Sequence, residues 1–149
     1  MSELTIEQKI QGVIQALSYW EDADVVINDW SVVDRPNVEA PYVIIETSDD
    51  FEWSHIAPTA EMRWGVPIIL FEVFHDWDES FNNFRDRRQA ILDAFTVAGA
   101  AASPGMVIEM IRNDGPITPY YDRMIPQEQQ AESLPVFLMQ RMILEGREF

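Results

Sequence analysis

A change of hydrophobic period within residues 62–95 constrains the fold more than any other feature of this chain. Residues 64–74, WGVPIILFEVF, are apolar apart from Gly65, Pro67 and Glu72, as in a strand that is buried on both faces. The apolar side chains that follow recur every three or four positions, which is the period of an amphipathic helix. They are Trp77, Phe81, Phe84, Ile91, Leu92 and Phe95, with Arg88 at the position between Phe84 and Ile91. The stretch therefore predicts a central strand that leads into a long helix packed on it.

The ends of these two elements have their own signals. Asp76 followed by Glu79 is typical of a helix N-cap with an acidic residue three positions later, so the helix should begin at residue 76 or 77. The breaker cluster Ser103, Pro104 and Gly105 requires the helix to end by Gly99. Pro67 has no N–H to donate, so either a bulge lies there or only the strand from Ile68 onward is fully paired.

The remaining apolar patterns predict one more helix and four more strands. The helix opens at the capping pattern Thr5-x-x-Gln8, and its apolar face consists of Ile6, Ile10, Val13, Ile14 and Leu17, closed by Trp20. The strands cover residues 25–27, 42–45, 106–111 and 136–144. We expect the first two of these strands to pair antiparallel, because the connection between them holds no crossover helix.

Two segments of the chain do not fit these elements. Residues 46–61 alternate acidic or polar residues with Phe51, Trp53 and Ile56, which predicts a long hairpin arm. Aromatic side chains are costly to expose, so the arm either docks on a partner or folds back and buries them in its own domain. Residues 115–135 contain several prolines beside Tyr120 and Tyr121, which predicts an extended loop and a second contact segment.

Together these elements indicate a single α+β domain over residues 1–149. The sheet should be mixed and mostly antiparallel, with two helices on one face and a long β-hairpin arm. The length suits one domain with a substantial core, and the 47% hydrophobic content argues against disorder despite a net charge of −16.

The composition also excludes several classes of function. There is no cysteine, which rules out disulfides, thiolate metal sites and cysteine nucleophiles. Ten basic residues against twenty-six acidic ones cannot neutralise the phosphates of a nucleic acid, and the same repulsion disfavours anionic membranes. Because no apolar run is long enough for a membrane span and the first residues lack a secretion signal, we expect a soluble, intracellular protein.

Candidate catalytic and metal-binding residues are few. His75 with Asp76 and Asp78 could imitate a metal cluster, but helix capping already explains both aspartates. The acidic residues Asp49, Asp50 and Glu52 could hold a hard cation, although their loop lacks the ligand spacing and turn glycine of a calcium loop. There is no nucleophile elbow and no glycine loop for a phosphate. We therefore expect no enzymatic activity, no cofactor and no metal, with a small carboxylate hydrolase that uses His75 as the enzymatic alternative.

The one basic cluster consists of Arg85, Arg87 and Arg88 on the second helix. These residues follow the acidic Asp78 and Glu79 on the same helix, so pairing within the helix at spacings of three and four is one account. A contact with an acidic neighbouring subunit is the other.

Several different local patterns follow one another along most of the chain. They are the first amphipathic helix, a strand that ends in Asn28-Asp29-Trp30, the segment VDRPNVEAPYVIIE, the aromatic arm, the strand WGVPIILFEVF, the helix end ILDAF and the segment LPVFLMQRMILE. In this layout the chain resembles the tail terminator, or tail completion, proteins of long-tailed bacteriophages.

The resemblance implies a non-enzymatic virion protein without a cofactor. Such a protein is assembled in the host cytoplasm and forms a ring, commonly a hexamer, at the head-proximal end of the tail tube. Its partners would be its own copies, the tail tube protein and a head-completion or connector protein, while genomic DNA passes through without specific binding. The alternatives are a connector or neck protein of the same particle, and an acidic adaptor or DNA mimic with its acids on one face.

The contact residues that we expect are the aromatic and neighbouring side chains of the two unassigned segments, since buried aromatics dominate the energy of most interfaces. They are Phe51, Trp53, His55, Tyr120 and Tyr121. The acidic residues Asp49, Asp50 and Glu52 are expected at the lumen or rim of the ring, where they would repel DNA phosphates.

Overall fold

In the part of the chain that it describes, the computed structural model has two helices and a seven-stranded sheet, which form an α+β fold. The structure describes residues 5–31, 41–47, 52–54, 61–95, 106–121, 126, 128–129 and 134–148, and of residues 52–54, 61–64, 106–110 and 147–148 it describes the backbone. The helices are α1 (Ile6–Ala16) and α2 (Trp77–Ala94), and a 3₁₀ turn covers Asp22–Asp24. The strands are β1 (Val25–Ile27), β2 (Tyr42–Ile45), β3 (Glu52–Ser54), β4 (Glu61–Val73), β5 (Met106–Asn113), β6 (Thr118–Tyr120) and β7 (Phe137–Glu148).

A long antiparallel ribbon of β4 and β7 forms the middle of the sheet. Its register runs without a shift from Met62 opposite Glu148 to Val73 opposite Phe137. Both β2 and β3 pair with the other edge of β4, end to end, while β5 and β6 share the other edge of β7 in the same way. The strand order is β1-β2-β4-β7-β5, so the prediction of a mixed, mostly antiparallel sheet with a hairpin arm is confirmed.

The expected antiparallel pairing of β1 with β2 is wrong, because the two strands pair in parallel. Their connection, residues 28–41, has the dozen or so residues that a parallel crossover needs. Asn28, in the left-handed region at φ 57°, fixes the arrangement at the end of β1. Its side-chain amide donates to Thr47 Oγ1 at 2.6 Å and accepts from the Thr47 amide at 3.0 Å, which joins the carboxyl ends of the two strands.

Pro67 lies at the point where β2 stops pairing with β4. The β2 ladder reaches Ile68, and one position beyond it the Glu46 amide donates to the Pro67 carbonyl at 3.0 Å. Since Pro67 could not return that hydrogen bond, β2 pairs with β4 only from Ile68 onward, and β3 occupies the same edge of β4 at residues 61–63. Of the two alternatives at Pro67, the one without a bulge is confirmed.

Both helices begin at the residues that the sequence indicates. Thr5 and Gln8 form a complete capping box at the start of α1. Asp76 caps α2, where its Oδ1 accepts from the Glu79 amide at 2.7 Å. The Ser80 hydroxyl, fully buried, accepts a further hydrogen bond from the His75 amide at 2.8 Å. Helix α2 ends well before Gly99, as expected.

The sheet separates two apolar clusters, and both helices pack on the same one. That cluster combines the helix residues Ile6, Ile10, Ile14, Phe84, Ile91 and Phe95 with the sheet residues Val25, Val43, Ile45, Val66, Ile68, Leu70, Leu138, Met142 and Leu144. The opposite face buries Tyr42, Ile44, Ile69, Phe71 and Phe137. The expected placement of two helices on one face is therefore confirmed, and the core part of the sheet is apolar on both faces.

The segment predicted as an extended loop, residues 115–135, is only partly a loop. It contains β6, which pairs with the first residues of β7. Near Pro126 the chain turns, because the Gln129 amide donates to the Pro126 carbonyl at 2.9 Å. The extended backbone that the prolines indicated is confirmed at β6 and does not hold at this turn.

Candidate functional site

The hairpin arm is formed by β3 and the first residues of β4. Register places Trp53 opposite Met62 and Glu52 opposite Arg63. The other residues expected to act with them, Phe51, His55, Asp49 and Asp50, lie outside the described residues.

Beyond the core, the two strands of the arm belong to a four-stranded part of the sheet. Val66 and Leu144, which face each other across the ribbon, are the last buried residues of the helix-side cluster in this direction among those whose burial is described. Past them the backbone order is β3, β4, β7 and β5, which is four strands wide.

The register separates this four-stranded part into two kinds of row. Positions 53, 62, 148 and 106 form one cross-strand row, and positions 64, 146 and 108 form the next row on the same face. Because strand positions alternate between faces, these rows continue the face on which the helices pack. They hold Trp53, Met62, Trp64, Met106 and Ile108 with Gly146 and Glu148. The row on the other face holds Glu52, Arg63, Arg147 and Val107. The sequence is therefore amphipathic across the arm.

An aromatic ladder crosses the opposite face of the core. Tyr120 of β6 stacks flat on Phe137, with ring centroids 4.6 Å apart and an interplanar angle of 6°. Phe137 meets Phe71 edge-on at 5.1 Å, and Trp30 meets Phe71 in the same way at 5.9 Å. Such edge and stacked contacts stabilise beyond the burial of area alone. The ladder joins strands that are distant in sequence, and its two ends are Trp30 and Tyr120.

Of the two tyrosines expected as contact residues, Tyr120 therefore packs partly within its own chain, against Phe137. Both Tyr120 and Tyr121 are half-buried, so each retains an accessible part. Trp30, 37% exposed at the other end of the ladder, is an additional candidate that sequence reasoning missed. Its signal was present in the sequence as a tryptophan directly after the polar pair Asn28-Asp29.

A polar layer lies between α2 and the sheet. Glu72, only 4% exposed, is paired with Arg87 of α2, and Gln140 of β7, 5% exposed, accepts a hydrogen bond from Arg88 Nη1 at 2.8 Å. Burial raises the pKa of the Glu72 carboxyl, an effect that the positive charge of Arg87 opposes. Burial, and then the charge of Arg85, lower the pKa of the Arg88 guanidinium.

These contacts correct the expectation that the arginines of α2 pair within the helix. Arg87 and Arg88 point toward the sheet, where a buried Glu72 without a cation would be far more costly than an exposed Asp78 or Glu79. Arg85 instead lies over the ring of Phe81, 5.9 Å from its centroid. The sequence signal for the pairing was Glu72 itself, the single charged residue in the apolar stretch 64–74.

The start of α2 forms an acidic and aromatic corner. Trp77 is 45% exposed, meets Phe74 edge-on at 4.8 Å and stacks on Phe81 at 5.9 Å. Around it lie the exposed residues His75, Asp76 and Asp78. No group of three or more His, Asp or Glu side chains that could hold a metal occurs among the described residues. Asp76 is engaged as the helix cap, in agreement with the capping interpretation.

No family model matches the chain, and no curated protein sequence matches it significantly. Neither of the two described helices is both long and apolar enough to cross a membrane. The candidate surfaces are therefore defined by their own geometry, and they are the arm and the ends of the aromatic ladder.

Proposed function

We propose that this chain is a structural assembly protein of the tail terminator class, whose copies close into a hexameric ring on the head-proximal end of a phage tail tube. In that role it ends polymerisation of the tube. It contacts the tail tube protein on one side and a head-completion or connector protein on the other. It is assembled in the host cytoplasm and resides in the tail or neck of the virion.

The hairpin arm is the observation that carries the proposal. The β4–β7 ribbon continues beyond the Val66–Leu144 pair, and β3 and β5 continue with it. On one face the sequence supplies two tryptophans, two methionines and an isoleucine, which are residue types that provide large buried area in an interface. The charged row on the other face lies one residue along each strand from these apolar rows. An arm with one apolar face and one charged face suits a subunit that docks on copies of itself.

The charge of the chain supports a role around DNA without binding it. With a net charge of −16, a ring of identical copies would repel phosphates and let a genome pass. We assign Asp49, Asp50 and Glu52 to the lumen or rim, since they adjoin the arm in sequence. A ring structure with the acidic side chains only on its outer surface would contradict this assignment.

The first experiment measures the mass of the purified chain by light scattering and native mass spectrometry. We expect one closed oligomer. In Trp53→Ser we expect a folded chain with weakened assembly, whereas Glu52→Ser, on the adjacent position of the opposite face, should assemble like the wild type. Loss of the folded monomer in Trp53→Ser would instead place Trp53 in the core of its own domain.

The second experiment tests the terminator role directly. Purified chain added to polymerising tail tube subunits should shorten the tubes and appear as a ring at one tube end in electron micrographs. A ring that binds the connector and leaves tube length unchanged would favour the neck protein. A monomer that ignores tube subunits and binds a basic protein would favour the acidic adaptor.

A further inference from the structure

Gln140 is a buried amide whose two polar atoms bind two different elements. It lies on β7 between Leu138 and Met142, in the apolar row that faces the helices, and is 5% exposed. Its Oε1 accepts from Arg88 Nη1 of α2 at 2.8 Å, and its Nε2 donates to the Gly115 carbonyl at 2.9 Å. A buried amide is stable only with such partners, so both hydrogen bonds hold this side chain in one orientation.

The Gly115 carbonyl belongs to the turn between β5 and β6. Gly115 has a φ of 102°, a conformation that side chains rarely adopt, so the turn is specific to this position. The Asp114 amide donates to the Arg141 carbonyl at 2.8 Å, and Gln140 supplies the next attachment of the turn to β7. Three residues later the chain reaches Thr118–Tyr120, so the turn sets where β6 begins.

On the helix side, Arg88 has a neutral partner where a carboxylate would be usual. Within the described part of the chain it makes no ion pair, and its guanidinium lies 6.0 Å from the centroid of the Phe84 ring. The neighbouring Arg87 is paired with Glu72 of β4. Helix α2 is thus attached to β4 by a charge pair and to β7 through Gln140.

We propose that Gln140 is a positioning residue. It couples the position of α2 on one face of the sheet to the position of Tyr120 on the other face. The path runs from Arg88 through Gln140 to Gly115, and from that turn into β6, where Tyr120 stacks on Phe137. A partner that shifts α2 would shift Tyr120 as well. Only the use of Tyr120 as a contact residue rests on the proposed function, since the coupling is a property of the isolated chain.

The test is amide hydrogen exchange of the purified chain, followed by mass spectrometry. Gln140→Glu can still accept from Arg88 but cannot donate to the Gly115 carbonyl, while Arg88→Met removes the helix donor and does not touch the turn. We expect severalfold faster exchange in residues 114–121 in both variants, with the β4–β7 ribbon unchanged. Arg85→Met, on the same helix without a bond to Gln140, is the control and should exchange like the wild type.

Unchanged exchange at residues 114–121 in Arg88→Met would overturn the coupling to α2. Equal acceleration across the whole chain in either variant would also overturn it, because Gln140 would then support global stability only. Exchange is measured on the purified chain, so the test gives a result even if the chain forms no ring. Failure of the coupling and failure of the proposed function are therefore distinguishable.

Discussion

Glu72 and its surroundings decide how a single charged side chain behaves in this core. A carboxylate among apolar side chains loses most of its hydration, which costs free energy. The attraction of Arg87 offsets only part of that cost. The balance favours the protonated acid in the folded chain relative to the unfolded chain. Glu72 is therefore a residue whose ionisation opposes folding although it has a cationic partner.

Replacing Glu72 by Gln should reveal this balance as a change in pH dependence. Because the folded-state pKa lies above the ordinary value of 4.5, the folded chain binds the proton more tightly than the unfolded chain. As the pH rises from that value through the raised pKa, the stability of the wild type should fall relative to Glu72→Gln and then level off. Urea unfolding of both proteins across this range measures the difference.

Asp86→Asn, which removes an exposed carboxylate of α2, controls for the loss of one negative charge in that comparison. A wild type that gains stability over Glu72→Gln with rising pH would mean that the attraction of Arg87 outweighs burial.

Phe71 has a different importance, since it is the aromatic residue on which the ladder converges. It is 2% exposed and contacts the rings of Phe137, Trp30 and Tyr42. Phe71→Ala should cost about 3 to 5 kcal/mol of unfolding free energy, because it leaves a cavity between rigid rings. Phe71→Leu keeps more of the volume and should cost less. Thermal or urea denaturation measures both, and an unchanged midpoint in the alanine variant would contradict the ladder.

At the scale of elements, local signals set where the helices begin. The Asp76 cap satisfies an amide that the first helical turn leaves without a partner. Asp76→Ala should therefore lower the unfolding free energy by about 0.5 to 2 kcal/mol. Asp78→Ala removes the same charge two residues later, in the first turn of the helix, and breaks no capping bond, so it should cost less. Equal losses in the two variants, compared by urea denaturation, would indicate that the helix dipole matters here and the cap bond does not.

The sequence predicts elements well where periodicity or capping is local, as in both helices and in the β4 and β7 strands. It failed for the direction of β1, because the Asn28–Thr47 amide bonds that fix the parallel pair join residues that no local pattern relates. It indicated β3 only as part of the hairpin arm and β6 only as extended backbone, so the bounds and the partners of these two strands came from the structure. Among candidate site residues, it indicated the aromatics of the arm but not the Gln140 contacts, which need tertiary structure to appear.

Over the whole molecule, a strong negative charge coexists with two apolar sheet faces. Self-repulsion of a chain with a net charge of −16 opposes any assembly of identical copies, and salt screens that repulsion. If the arm assembles through apolar rows, raising the NaCl concentration from about 0.05 to 0.5 M should increase the oligomer fraction in sedimentation experiments. Dissociation at high salt would instead indicate that ion pairs hold the copies together.

The central position of β7 has a consequence for how the chain reaches its native state. Strands β4, β5 and β6 all pair with β7, which is the last of the described strands to be synthesised. On a ribosome the emerging β4 would have one of its two ladders empty until β7 appears, and its apolar residues would be open to misassociation. Pairing across so long a stretch of chain also makes folding slow, which prolongs the time during which that edge of β4 is open.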